Sequence, residues 1–188
     1  RYIYKPGEAF LVSANYSDKG IGFSLTGKRV DNMDFRSDRT AALTNLNLNF
    51  LPPITKQHTY QLVTIYPYAT QNNGEMGLQG DFFYSFKPGT KLGGKYGTNI
   101  SFNGSRVQGI DTVNYNDERG YKSNFFKPGK ELYYQDLNLE ISKKINKQWK
   151  VVLSDIYLIY NKNVIQGLAG YKTVYANIAI ADITYKIN

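Results

Sequence analysis

Apolar and polar positions alternate with period two along much of the chain, and that period puts the two sets on opposite faces of a β-strand. In TNLNLNF (44–50), Asn45, Asn47 and Asn49 oppose Leu46, Leu48 and Phe50. In EAFLVSANY (8–16), Phe10, Val12, Ala14 and Tyr16 share one face, and IGFSLTGK (21–28) alternates in the same way. EMGLQGDFFYSF (75–86) sets Met76, Leu78, Phe82, Tyr84 and Phe86 against Gln79, Asp81 and Ser85. KYGTNISFNGS (95–105) sets Tyr96, Ile100 and Phe102 against Asn99, Ser101 and Asn103. ELYYQDLNLEIS (131–142) sets Leu137, Leu139 and Ile141 against Asp136, Asn138 and Glu140. Further strands are expected at 60–68, 149–160 and 174–185, and the last two do not declare their faces.

The pattern predicts about nine strands, each near the ~9–11 residues that cross a bilayer when tilted. Between them, short turns at 17–20, 52–58, 87–94 and 143–148 interleave with longer polar segments at 30–41, 69–75, 106–130 and 161–172. Such parity suits an antiparallel up-and-down transmembrane β-barrel with short turns on one side and longer loops on the other. The aromatics suggest two interfacial belts. One holds Tyr16, Phe50, Tyr60, Phe86, Tyr96, Trp149 and Tyr185; the other holds Tyr66, Tyr68, Tyr133, Tyr134, Tyr160 and Tyr175. On this reading Asn45, Asn47, Asn49, Gln79, Asp81, Asn99, Ser101, Asn103, Asp136, Asn138 and Glu140 line a wet lumen. Leu46, Leu48, Phe50, Phe82, Ile100, Phe102, Leu137 and Leu139 meet lipid.

Composition agrees with β-structure: 17 Tyr, 10 Phe and 17 Gly stand beside no Cys and 1 His. No apolar run is long enough for a transmembrane helix. A mean hydropathy of −0.45 leaves a barrel open, because barrel lumens and loops are polar. The net charge of +8 is dispersed over turns and loops rather than gathered on one aromatic-lined surface. That pattern argues against nucleic acid and fits anionic lipid headgroups.

Candidate chemistry is sparse. GTKLGGKY (89–96) nearly spells a phosphate-binding loop, but Tyr96 replaces the magnesium-holding hydroxyl and strands flank it where a helix is needed. His58 has no evident catalytic or metal partners and is expected to cap a turn. Asp81, Asp136 and Glu140 fall on polar strand faces, where carboxylates tune ion selectivity more readily than they do acid–base work. No enzyme activity, cofactor or metal is expected.

Four stretches resemble uncharacterised porin-like outer-membrane proteins of Bacteroidota: YSDKGIGFSLTGKRVDNMDFRSDR (16–39), LPPITKQHTYQL (51–62), GDFFYSFKPGTKLGGKYGTNI (80–100) and VYANIAIADITYKI (174–187). Members of that family are longer, with a signal peptide and more strands. The resemblance implies that residues 1–188 are part of a single barrel domain in a Gram-negative outer membrane. The expected role is a passive channel or membrane scaffold, with outer-membrane lipid, lipopolysaccharide and other outer-membrane proteins as partners. The alternatives are a non-conducting subunit of a larger complex, or a soluble β-sandwich that binds glycans.

Overall fold

A computed structural model describes residues 5–38, 40–41, 46, 48, 51–114, 120–170 and 173–187. Seven strands form one sheet: β1 (Glu8–Asp18), β2 (Ile21–Asp31), β3 (Gly74–Phe86), β4 (Thr98–Asn114), β5 (Tyr121–Lys144), β6 (Trp149–Asn161) and β7 (Thr173–Tyr185). Every neighbour pair is antiparallel and strand order follows chain order. The fold is thus an all-β up-and-down meander. The sheet does not close into a barrel, and β1 and β7 form its edges. No helix among the described residues is long and apolar enough to cross a membrane, which says nothing of strands.

Three of the four expected short turns lie at one end. The β1–β2 link is the tightest, with Lys19 and Gly20 both at positive φ (38° and 94°). That geometry matches the twist of the flanking strands. Residues 87–97 and 145–148 make the other two turns at this end. β4 and β5 extend past the sheet as a long hairpin, with register shifts between Val107 and Thr112. Much of the expected polar loop 106–130 is therefore strand.

Among the described residues there are seven strands against the expected nine or so, and the expected strand over 60–68 is absent. Over 60–68 the chain forms a short 3-10 helix, Gln61–Ile65. Within 44–50 only Leu46 and Leu48 are described; neither is in a strand, and Leu46 takes a left-handed φ of 54°. Asn45, Asn47, Asn49 and Phe50 lie outside the described residues. Pro52, Pro53 and Pro67 offer no N–H to a ladder, which works against strand pairing here. Residues 32–73 instead form one long connection between β2 and β3. The parity of the turns between the seven described strands is intact.

The register sorts the sheet into two faces. On one, every strand carries an exposed large apolar side chain: Phe10, Phe23, Phe82, Phe102, Leu139, Leu153 and Ile183. The opposite face is polar from β2 to β5 and apolar on β6 and β7, where Ile156 and Leu158 are buried. The core lies against this second face: Ile54 and Tyr68 of the long connection pack with Val107, Tyr134, Leu158 and Tyr160. The short helix α1 (Lys162–Gln166), capped by the Asn161 side chain, adds Ile165.

Candidate functional site: a polar face beneath an infolded segment

Residues 51–71 fold across the polar face from β2 to β7 and back. Lys28 anchors both ends. Its Nζ donates to the Pro52 carbonyl (2.7 Å) and to Thr70 Oγ1 (2.8 Å), and lies 2.7 Å from Glu75 Oε1. Both charged side chains are fully buried. The Tyr68 hydroxyl and the Gln71 N–H (2.6 Å) donate to Glu75 Oε2. Burial first, and the Glu75 carboxylate second, push the Tyr68 hydroxyl far above the usual phenol range, so it stays a donor.

Further along, His58 Nε2 sits 3.0 Å from Asp136 Oδ2, while Ser105 Oγ donates to the other carboxylate oxygen. His58 therefore contacts a buried carboxylate and does not cap a turn. Tyr60 reaches Asp182 on β7 (3.1 Å), and Tyr160 donates to the Pro67 carbonyl (3.2 Å). The segment leaves the sheet at Lys28, crosses to the far edge, and returns.

One glycine makes the close approach possible. A Cβ on Gly77 would stand 2.5 Å from Ile54 Cδ1 and 3.1 Å from Val107, so Ile54 occupies the space a side chain would need. Gly77→Val should push the segment off the sheet while leaving the strands paired. The expected cost is about 1–3 kcal/mol, the range for overpacking. It should appear as earlier proteolysis within 51–71, and unchanged cleavage there would count against the docked position.

Eight of the expected lumen residues share this face. Gln79 donates to Asp81 (3.2 Å), Asn103 also donates to Asp81, and Ser154 donates to Asn138 (2.9 Å). With the Ser105–Asp136 pair these make three hydrogen-bonded groups along one polar wall. Asn99, Ser101 and Glu140 continue the face toward the short turns. The expected lipid-facing Phe82, Ile100, Phe102, Leu137 and Leu139 all lie on the other face. Leu46 and Leu48 belong instead to the long connection.

The second aromatic belt is not a belt. Tyr66, Tyr68, Tyr134 and Tyr160 form a ring cluster beneath the segment, with neighbouring centroids 5.2–6.4 Å apart. The hydroxyls of Tyr68, Tyr134 and Tyr160 find acceptors there, as a buried phenol requires. In the first belt, Tyr60 also turns inward, whereas Trp149 and Tyr185 pair across β6 and β7 at 4.7 Å.

Sequence reasoning missed Lys28, Glu75 and Tyr68 as a unit. Lys28 shares parity with Thr26 and Ser24, so its face was legible; its partner across the long connection was not. Residues 89–96 form a turn between β3 and β4, with Gly89 N–H donating to the Gly94 carbonyl, and no helix follows. Among the described residues, no cluster of His, Cys, Asp and Glu could hold a metal.

No curated protein and no solved structure matches the chain. A family model matches residues 1–188 throughout, and with it the chain belongs to DUF6029, a family of unknown function.

Proposed function

We propose that the sheet is a section of the wall of an outer-membrane β-barrel, with the apolar face toward lipid and the polar face toward a lumen. The carrying observation is the sorting itself. Exposed Phe, Leu and Ile side chains stand on every strand of one face, and a hydrogen-bonded polar wall occupies the other. Large exposed apolar side chains on every strand of one face are what soluble monomers rarely leave in water. The described residues supply no second sheet to cover it, which disfavours a β-sandwich.

In hydrocarbon, every backbone N–H and C=O needs a partner, so the edges at β1 and β7 require further strands to close the wall. The role that follows is a porin-like passive channel or scaffold in a Gram-negative outer membrane, bathed in phospholipid and lipopolysaccharide. The resemblance to Bacteroidota outer-membrane proteins supports the same reading. Residues 51–71 then lie in the lumen and narrow it. Asp81, Asp136, Glu140 and Asp182 on the lumen side favour cations. A non-conducting subunit becomes the better reading if the infolded segment blocks the path outright.

Membrane extraction tests the proposal. The protein should sediment with membranes after washing at high pH and enter solution only with detergent. A monodisperse species in plain buffer would overturn it.

A further inference from the structure

We propose that the apolar face carries a site for one anionic phospholipid, its acyl chain lying in a groove over β2–β4 and its head phosphate on Arg106. The inference rests on the membrane reading and adds a specific lipid to it. A groove of about 650 Å³ opens on this face, within the ~300–1,000 Å³ of typical ligand sites. Three glycines, Gly27, Gly80 and Gly104, sit on adjacent strands along its floor; Leu137 and Phe102 lean over Gly104, and the trough is deepest at Gly80. A Cβ at Gly80 would meet no described atom closer than 3.9 Å, so among the described residues the trough above Gly80 is open. From the Gly80 row to the Met76 row the floor runs four residues, about 13 Å at ~3.3 Å each. That length and lining suit a hydrocarbon tail.

The roof comes from the long β4–β5 hairpin, which bends over the sheet at its bulges. Ser123 ties β5 to β2 by accepting from Arg29 Nη2 (2.9 Å) and donating to Asp31. Phe125 then packs edge-on against Phe10 at 5.7 Å, under the Arg29 guanidinium. Phe126 beside it remains 88% exposed. An aromatic held above an apolar trough, with one ring left uncovered, is built to clasp something greasy.

Charge selects the head. Arg29 is neutralised by Glu8 (2.8 Å) and Asp31 (3.0 Å). Arg106 lines the same groove, yet its Nε and Nη1 donate only to the neutral side chains of Gln108 (3.2 Å) and Gln135 (2.6 Å). Among the described residues no carboxylate pairs with it. A guanidinium on a lipid-facing surface needs an anion, and its planar fork matches phosphate oxygens. A choline head would place a second cation beside it.

The test is native mass spectrometry of the detergent-solubilised, delipidated protein, titrated with phosphatidylglycerol and, separately, phosphatidylcholine. One phosphatidylglycerol should be retained, with phosphatidylcholine weaker. Arg106→Gln, an exposed change that spares the fold, should weaken retention on the order of tenfold. Gly80→Leu should abolish it by filling the trough, and circular dichroism reports whether that variant keeps its sheet. Equal binding of both lipids, or wild-type retention by both variants, would overturn the site while the membrane reading stands. A dimer lost on Gly80→Leu would place a second copy in the groove and overturn the lipid. A protein that needs no detergent would instead remove the membrane reading beneath it.

Discussion

Replacing Lys28 with methionine should cost about 3–5 kcal/mol of stability, the range for breaking a buried ion pair from one side. Methionine keeps the stem but leaves the Glu75 carboxylate at zero exposure without its cation. Tyr68 and Gln71 still donate to that carboxylate, yet they bring no compensating charge. The Pro52 carbonyl and Thr70 hydroxyl lose their donor at the same time, so both ends of the infolded segment loosen together. Denaturant titration in detergent measures the loss. A double replacement, Lys28→Met with Glu75→Leu, should recover more than half of it, because no orphaned charge remains. Lys91→Met, on an exposed turn, should change stability by less than about 0.5 kcal/mol. A loss at Lys28 no greater than at Lys91 would mean that the pair is wet and the segment undocked.

Replacing residues 55–65 by a short Gly-Ser linker should raise single-channel conductance several-fold in planar bilayers. The excised stretch includes His58 and Tyr60, whose contacts reach Asp136 and Asp182 across the proposed lumen wall. It spares Ile54, Tyr66 and Tyr68, so the tyrosine cluster and the Lys28 anchor persist. The enlarged path should also favour cations over anions, since the excision frees two of its four carboxylates. Equal conductance with and without the segment would show that it does not obstruct flow. Silence from both forms would leave a scaffold or a non-conducting subunit.

Most of the sheet was legible because each true strand carries its own face assignment. Phe82 and Phe102 alternate with Asp81 and Asn103 as plainly in the sequence as in the register. Tyr134 could have been placed too: it shares parity with Asp136 and Asn138, so it had to point to the polar side. Tyr160 gave no such clue, because Ile156 and Leu158 make that side of β6 as apolar as the side carrying Leu153. The failure at 60–68 has a different origin. Any extended chain alternates, but a strand also needs a neighbour to receive its N–H and C=O groups. Around 51–71 several of those groups go to side chains, as when Pro52 and Pro67 accept from Lys28 and Tyr160. Nothing in periodicity distinguishes the two fates. The pairings of Lys28 with Glu75 and His58 with Asp136 depend on how a long connection doubles back, and local pattern does not encode that.

The connection over 32–73 also bears on the order in which the sheet is made. From β3 to β7 every neighbour follows after a hairpin-scale link, and β1 meets β2 across two residues. Only the β2–β3 seam must close a long loop. Relative to a tight hairpin, the extra closure entropy is roughly 3 kcal/mol, which is recovered only when neighbouring contacts form. Local contacts form fastest, so the meander β3–β7 is the natural first block and the β1–β2 hairpin the second. Residues 51–71 touch both blocks, with Lys28 on one and Asp136 and Asp182 on the other. The segment that narrows the proposed lumen is thus also the clasp that joins the two halves during assembly.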